Sequence, residues 1–218
     1  MLLWFESNGS HRHLRVTLPD PTFAAARKSL RAALRARRRA LDSSERTSSA
    51  QRVARNADGW LRLRPGWRIA LYASLAEELD TAPLLAIARI RGCRIYLPRI
   101  DRHRHARGMR FVEMTDRQRT NRLGICEPEG MRVIGARWLD VVFLPLVGFD
   151  ARGVRLGAGG GYYDRAFSFR RWRAAWHTPH LVGLAYAFQQ VEAILPAAHD
   201  VLLDAVITEK GVIRCTTG

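Results

Sequence analysis

The chain has 218 residues, 47% of them hydrophobic, and a net charge of +16, which is enough apolar material for one folded domain and too much for a disordered chain. No apolar run approaches the ~20 residues that cross a bilayer, and the opening Met1–Phe5 stretch is too short for a signal-peptide core. Cys93, Cys126 and Cys215 lie far apart and form no Cys-x-x-Cys pair, which argues against a zinc site or disulfide framework and for a reducing cytoplasm.

A charge this positive is a possible nucleic-acid footprint. Of the 36 basic residues, however, only Lys28 and Lys210 are lysine. That skew is what a GC-rich genome produces, so much of the charge reads as a solvated arginine surface that helps to draw in anionic ligands.

Residues 1–21 mix short apolar and polar pieces and close on Pro19-Asp20-Pro21. They read as a flexible N-terminal leader whose His11 and His13 are not a metal site. Residues 22–218 read as a single α/β domain.

From Thr22 to Asp58 the alanine, arginine and leucine content predicts helix, with Leu30, Leu34 and Leu41 on one side. Asp42-Ser43-Ser44-Glu45 reads as a helix restart, with the capping residue three before a glutamate. Residues 27–39 hold seven basic side chains and no acidic one. Arg35, Arg37, Arg38 and Arg39 read as a solvated face.

Arg68–Ser74 predicts the first strand. A loop with Glu77, Glu78 and Asp80 follows, then a short helix over Pro83–Arg91. Ligands in open α/β sheets bind where strands hand over to helices. Acidic residues are also inexpensive at a helix start. Cys93–Arg99 and Gly108–Met114 predict further strands, with His103 and His105 in an exposed turn between them.

Val141–Val147 is an apolar run between Asp140 and Asp150, and reads as a buried strand. After it comes Arg155-Leu156-Gly157-Ala158-Gly159-Gly160-Gly161-Tyr162-Tyr163-Asp164-Arg165. Apolar residues at helical spacing then predict a helix from Tyr162 to about Trp176. A glycine-rich turn into a helix presents free N–H groups to an anion, and Arg155 and Arg165 flank it. Asp164 is a hard oxygen donor of the kind a magnesium–phosphate site takes. The turn is neither a Walker A loop, since no Gly-Lys-Ser/Thr ends it, nor a dinucleotide fingerprint, since Tyr162 stands in the last glycine's place. The bland alternative is a turn that only packs a helix on a sheet. His180–Tyr186 predicts a strand, followed by a short helix through Ile194, and the segment to Thr208 closes the sheet.

The string Gly153–Asp164 resembles the signature of the 5-formyltetrahydrofolate cyclo-ligase family, Gly-x-Arg-Leu-Gly-x-Gly-x-Gly-Tyr-Tyr-Asp. Three more motifs agree in order: Arg27-Lys28-Ser29-Leu30-Arg31 with the family's Lys-x-x-Leu-Arg, Gly124-Ile125-Cys126-Glu127-Pro128 with Gly-Ile-x-Glu-Pro, and Pro196…His199-Asp200 with Pro-x-x-x-His-Asp. The resemblance spans about Ala26 to Ile213. It implies a three-layer α/β/α domain with a mostly parallel open sheet, and ATP-dependent cyclisation of 5-formyltetrahydrofolate to 5,10-methenyltetrahydrofolate. ATP would be held by Arg27, Lys28, Ser29, Leu30 and Arg31 and by Arg155, Leu156, Gly157, Ala158, Gly159, Gly160, Gly161, Tyr162 and Tyr163. Arg155, Tyr162 and Tyr163 would stand closest to the chemistry, Ala73 and Glu78 would meet the folate, and Asp164 and Asp200 would hold Mg²⁺. Alignment puts Arg27 in the family lysine's place, although spacing alone permits Lys28. Ala158 fills a position that is often larger in the family. Asp204 competes with Asp200 and reads as a strand-end residue. The implied protein is a cytoplasmic monomer with no membrane or nucleic-acid partner. The alternative is a non-catalytic member that binds RNA through its basic face.

Overall fold

The computed structural model describes residues 21–100, 108–114, 118–120, 126–128, 132–171 and 178–216. The leader with His11 and His13, the turn with His103 and His105, the side chains of Cys126 and Glu127, and the predicted helix beyond Arg171 lie outside the described residues.

Helix α1 (Pro21–Ala40) and helix α2 (Ser43–Leu61) are separated where the capping pattern predicts. The Asp42 carboxylate accepts the Glu45 N–H at 2.8 Å, and the Glu45 carboxylate accepts the Asp42 N–H at 3.2 Å. Removing such a cap costs about 1 kcal/mol. Helix α2 buries Ala50, Val53, Ala54 and Ala57, a stripe at helical spacing that seats it on the sheet.

The strands are β1 (Arg68–Ala70), β2 (Arg94–Ile100), β3 (Met109–Glu113), β4 (Gln118–Thr120), β5 (Cys126–Pro128), β6 (Val133–Ile134), β7 (Val141–Pro145), β8 (Gly148–Phe149), β9 (Arg155–Leu156), β10 (His180–Leu184), β11 (Ala205–Thr208) and β12 (Gly211–Arg214). Helices α3 (Ala82–Ile90) and α4 (Tyr162–Ala166) complete the described α-helices, and short 3₁₀ turns lie at Ala136–Trp138, Ser168–Arg171 and Ala187–Gln189. Eight strands form the main sheet in the order β12-β11-β10-β7-β1-β2-β3-β6. The stretch from β11 to β2 is parallel, and β12, β3 and β6 run antiparallel at the edges.

Strand periodicity sorts the core into two faces. Ile69, Ile95, Val141, Phe143 and Val182 pack with α2 and α3. Ala70, Tyr96, Val142, Leu144 and Leu181 point the other way, towards Phe167, Leu146 and Leu203. Phe167 plugs this second face, with its ring 5.8 Å from Phe111 and stacked 6.4 Å from Tyr163. Truncating so buried a ring costs about 3–5 kcal/mol.

Three predicted elements are shorter than their apolar patterns. Strand β1 ends at Ala70, because Thr81 Oγ1 donates to the Tyr72 carbonyl (3.0 Å) and the Tyr72 hydroxyl to the Leu79 carbonyl (2.9 Å). Helix α4 is five residues long and leaves α-helical geometry at Phe167, followed by a 3₁₀ turn over Ser168–Arg171. The helix expected through Ile194 is only a 3₁₀ turn at Ala187–Gln189. There the buried Gln189 amide donates to the carbonyls of Leu146 and Val147 at 3.0 and 2.8 Å, tying this segment to the end of β7.

Strand β1 has β2 on one side and β7 on the other. The chain therefore leaves β1 in one direction and later fills the sheet in the other. Such a switch point opens a crevice beyond the strands' carboxyl ends. Helix α1 lies across that edge. A Cβ on Gly148 would come within 2.6 Å of Leu34 Cδ1, so a glycine lets the helix seat closely there.

Candidate active site

A cavity of about 1330 Å³ fills the crevice. Its floor is the carboxyl edge of the sheet, with Tyr72 and Ala73 after β1, Pro98 and Ile100 from β2, and Pro145–Val147 at the end of β7. Its walls are α1, the glycine loop, the 195–200 segment and the loop carrying Glu78.

Helical spacing decides which α1 residues face inward. Arg27 and Arg31, one turn apart, line the cavity, while Lys28 and Ser29 are exposed and do not. Leu30 packs instead with Val154, Leu156 and Ile194. Leu156, placed at the nucleotide by resemblance, is likewise a core residue and does not line the cavity. Arg31 Nε donates to the Gly157 carbonyl at 2.9 Å and Arg35 Nη2 to that of Ala158 at 3.4 Å. Burial, and then the neighbouring Arg27 and Arg35 charges, hold the Arg31 pKa below its ordinary value.

The expected solvated face of α1 is corrected in part. Arg38 is only 5% exposed and donates to the Leu146 carbonyl. Arg39 pairs with Glu77 at 3.3 Å, and Arg37 lies 4.6 Å from the centre of the Phe188 ring.

Gly157, Ala158, Gly159, Gly160 and Gly161 all border the cavity. Gly159 and Gly161 have φ of +110° and +62°, a region L side chains rarely enter. Because α4 is so short, it is the loop amides and arginines that make this end attractive to an anion, and a long helix dipole has no part in it. Arg155 Nη2 donates to Asp164 Oδ1 at 2.6 Å, and the Val201 N–H donates to the same oxygen at 3.2 Å. Asp200 Oδ2 accepts from Arg27 Nη1 and from the Ala197 N–H, both at 2.9 Å. Tyr162 and Tyr163 stand beside this cluster, the latter with Arg155 5.5 Å from its ring centre. Burial raises the Tyr163 pKa well above the ordinary phenol value, so it stays neutral.

The acidic loop sorts its carboxylates by contact. Asp80 accepts the Ala82 N–H at the start of α3 (2.9 Å), and Glu77 pairs with Arg39. Of the three, only Glu78 lines the cavity, with Oε2 accepting the Leu75 N–H at 3.1 Å. Burial pushes the Glu78 pKa up, and the Leu75 N–H, Arg38 and Arg35 only partly oppose it.

Two further carboxylates hold the frame. Asp204 accepts from Arg170 (2.6 Å) and from the Leu181 N–H (2.7 Å), and does not line the cavity. Asp150 is fully buried. Its oxygens accept the N–H groups of Arg152, Val154 and Ile194 at 3.0, 3.1 and 3.0 Å, and the Arg152 guanidinium at 2.7 Å. It therefore joins the root of the glycine loop to the root of the 195–200 wall. Burial disfavours its charge, but these donors outweigh it and hold the pKa below the usual carboxylate value.

Among the described residues no three His, Cys, Asp or Glu side chains gather as a metal cage. Asp164 and Asp200 fit another scheme, in which a hard divalent cation takes one or two carboxylates and completes its shell with phosphate oxygens and water.

Residues 24–209 match the profile of the 5-formyltetrahydrofolate cyclo-ligase family. The chain belongs to that family. It is 34% identical over 178 residues to a 5-formyltetrahydrofolate cyclo-ligase of Haemophilus influenzae, covering 79% of this chain and 91% of the relative. It is 34% identical over 184 residues to one of Escherichia coli, covering 82% and 98%. Its fold is similar to the NMR structure of a 5,10-methenyltetrahydrofolate synthetase from Aquifex aeolicus, with a TM-score of 0.73, 27% identity and coverage of 88% and 94%.

Three of the four cyclo-ligase motifs thus converge in space, while the Gly124–Pro128 motif lies largely outside the described residues. Arg27, Arg31, Ala73, Glu78, Arg155, residues 157–161, Tyr162, Tyr163, Asp164 and Asp200 line one cavity. Sequence reasoning missed Phe23, Tyr72, Pro98, Ile100, Met109 and Leu146, which supply much of its apolar surface. For Tyr72 and Leu146, a position just past a strand end was the available signal. No helix among the described residues is long and apolar enough to cross a membrane.

Proposed function

We propose that this protein converts 5-formyltetrahydrofolate to 5,10-methenyltetrahydrofolate, with cleavage of ATP to ADP and phosphate. The observation that carries the reading is a single cavity of about 1330 Å³ with a charged end and an apolar end. A pocket for one small ligand measures roughly 300–1,000 Å³, so this chamber suits two substrates meeting. The triphosphate would lie along residues 157–161, with Arg27, Arg31 and Arg155 as counter-charges. The pterin would lie over Tyr72, Pro98 and Leu146 with Glu78 at its polar edge.

The formyl oxygen is a poor leaving group. In the proposed reaction it attacks the γ-phosphorus and the β–γ bridging bond breaks, leaving ADP and an iminium phosphate. The neighbouring amine nitrogen then attacks the formyl carbon, the C–O bond breaks, phosphate departs and the nitrogen's proton is lost. Such chemistry asks for positioning and charge neutralisation more than for a strong base. Tyr162, together with Tyr163 in its neutral form, would wall the meeting point against water. Asp164 and Asp200 would hold Mg²⁺, which supplies charge neutralisation at the phosphates.

The test is the absorbance of methenyltetrahydrofolate formed from 5-formyltetrahydrofolate, with ATP and Mg²⁺ each present or omitted. Product only in the complete mixture is expected. Product without ATP, or none in the complete mixture, overturns the proposal.

A further inference from the structure

The charged end of the cavity contains two pre-formed ion pairs, and each joins a residue proposed for phosphate to one proposed for metal. Arg27 bonds Asp200 at 2.9 Å, with the two side chains 12% and 8% exposed. Arg155 bonds Asp164 at 2.6 Å, with side chains 5% and 16% exposed. Buried charges of this kind are stable as pairs, and removing one partner leaves the other uncompensated in a poorly solvated site.

A metal ion arriving alone would draw the carboxylates away and leave Arg27 and Arg155 uncompensated in a poorly solvated site. A free nucleotide arriving alone would draw the arginines away and leave two carboxylates beside the phosphates. A metal–nucleotide complex meets both needs in one exchange, carboxylates to metal and arginines to phosphate. Building on the function proposed above, we infer that the Arg27–Asp200 and Arg155–Asp164 pairs are a selectivity device: they discriminate against uncomplexed nucleotide and uncomplexed metal, and yield only to the two together.

The Arg27–Asp200 pair is the better point of attack, since Arg27 also holds the Leu195 carbonyl (3.1 Å) and so keeps an anchor when the pair is broken. The inference makes a counter-intuitive demand. Asp200→Asn removes a metal ligand, yet it frees Arg27 for phosphate and removes a repelling charge.

The experiment is isothermal titration calorimetry of the full chain with a non-hydrolysable ATP analogue, in EDTA and in Mg²⁺, and a titration with Mn²⁺ alone followed by its electron paramagnetic resonance signal. Asp200→Asn should bind the analogue in EDTA more tightly than wild type by at least about fivefold, the low end of coupling between linked sites. It should bind the Mg²⁺ complex more weakly. Arg27→Met should bind Mn²⁺ alone more tightly than wild type. Weaker binding of the metal-free analogue by Asp200→Asn, or equal loss for both forms, overturns this inference and leaves the proposed function standing. Failure of wild type to bind the analogue in any form overturns both. A circular-dichroism melt of each variant establishes that the folded protein is being titrated.

Discussion

The two ends of the cavity solve recognition differently. At the glycine-loop end the described charges that line the cavity already have partners: Arg27 with Asp200 and Arg31 with the Gly157 carbonyl join distant parts of the chain, and Arg155 with Asp164 spans nine residues of the loop itself. At the other end the surface is apolar, and the one acid, Glu78, is held by its own loop through the Leu75 N–H and ionises reluctantly. The first end is arranged to exchange charges and the second to desolvate a flat ligand. The lesson is that a two-substrate site can keep paired charges where transferable charge must be met, and place a reluctantly ionising acid where shape does most of the binding.

The strongest way to break the comparison is Asp164→Asn. It removes charge from the exchanging end while retaining an oxygen for the Val201 N–H, so turnover should fall by at least about a hundredfold with an unchanged far-ultraviolet spectrum. Near-native methenyl formation at limiting Mg²⁺ would refute the metal role. Next, Glu78→Ala should raise the folate KM far more than the ATP KM, by an amount worth about 1–3 kcal/mol. Equal damage to both constants would move Glu78 out of the folate end. Arg27→Ala should weaken nucleotide binding at least about tenfold, roughly 1.4 kcal/mol, and Lys28→Ala by much less, because only Arg27 reaches the cavity. A nucleotide titration with the reverse order would refute that assignment.

A smaller effect sharpens the contrast. Glu78 has a raised pKa in the fold, so its ionisation opposes folding. Above the raised value that cost is fully present, and it fades as pH falls towards the ordinary carboxylate pKa. Glu78→Gln should therefore melt higher than wild type at pH 7, with the gap closing in acid, while its folate KM is worse at pH 7. A lower melting temperature for Glu78→Gln at pH 7 would show that the carboxylate is stabilising. Least of all, deleting residues 1–20 should leave both KM values unchanged, since Phe23, Arg27 and Arg31 are retained. A shift in either value would assign the leader a part in binding.

How far these features could be read in advance depended on distance along the chain. The α1–α2 break was legible because Asp42 and Glu45 cap each other within one turn. The parallel sheet was legible from apolar runs alternating with helical ones. Arg27 and Lys28 were not separable by periodicity, since both lie within a turn of Arg31. What separates them is how Leu30 and Leu34 seat the helix. The long helix after Tyr162 failed for a related reason. Phe167 is apolar at helical spacing, but it is buried as a plug between Phe111 and Tyr163 and the chain turns at it. The Arg27–Asp200 pair joins residues 173 positions apart, and no local pattern announces it.

Asp150 has a consequence for how such a site can change. Its one carboxylate pins both the turn before the glycine loop and Ile194, just before the 195–200 wall. Variation in the segments beyond those pins is then insulated from the sheet beneath, as the span of a bridge can be rebuilt while its abutments stand. On the proposed function, Ala158, Pro196, Ala198 and His199, which line the cavity, are the positions at which nucleotide or folate preference would be retuned by substitution without asking the core to move, whereas Gly159 and Gly160 are held by their backbone angle and by the Tyr162 ring.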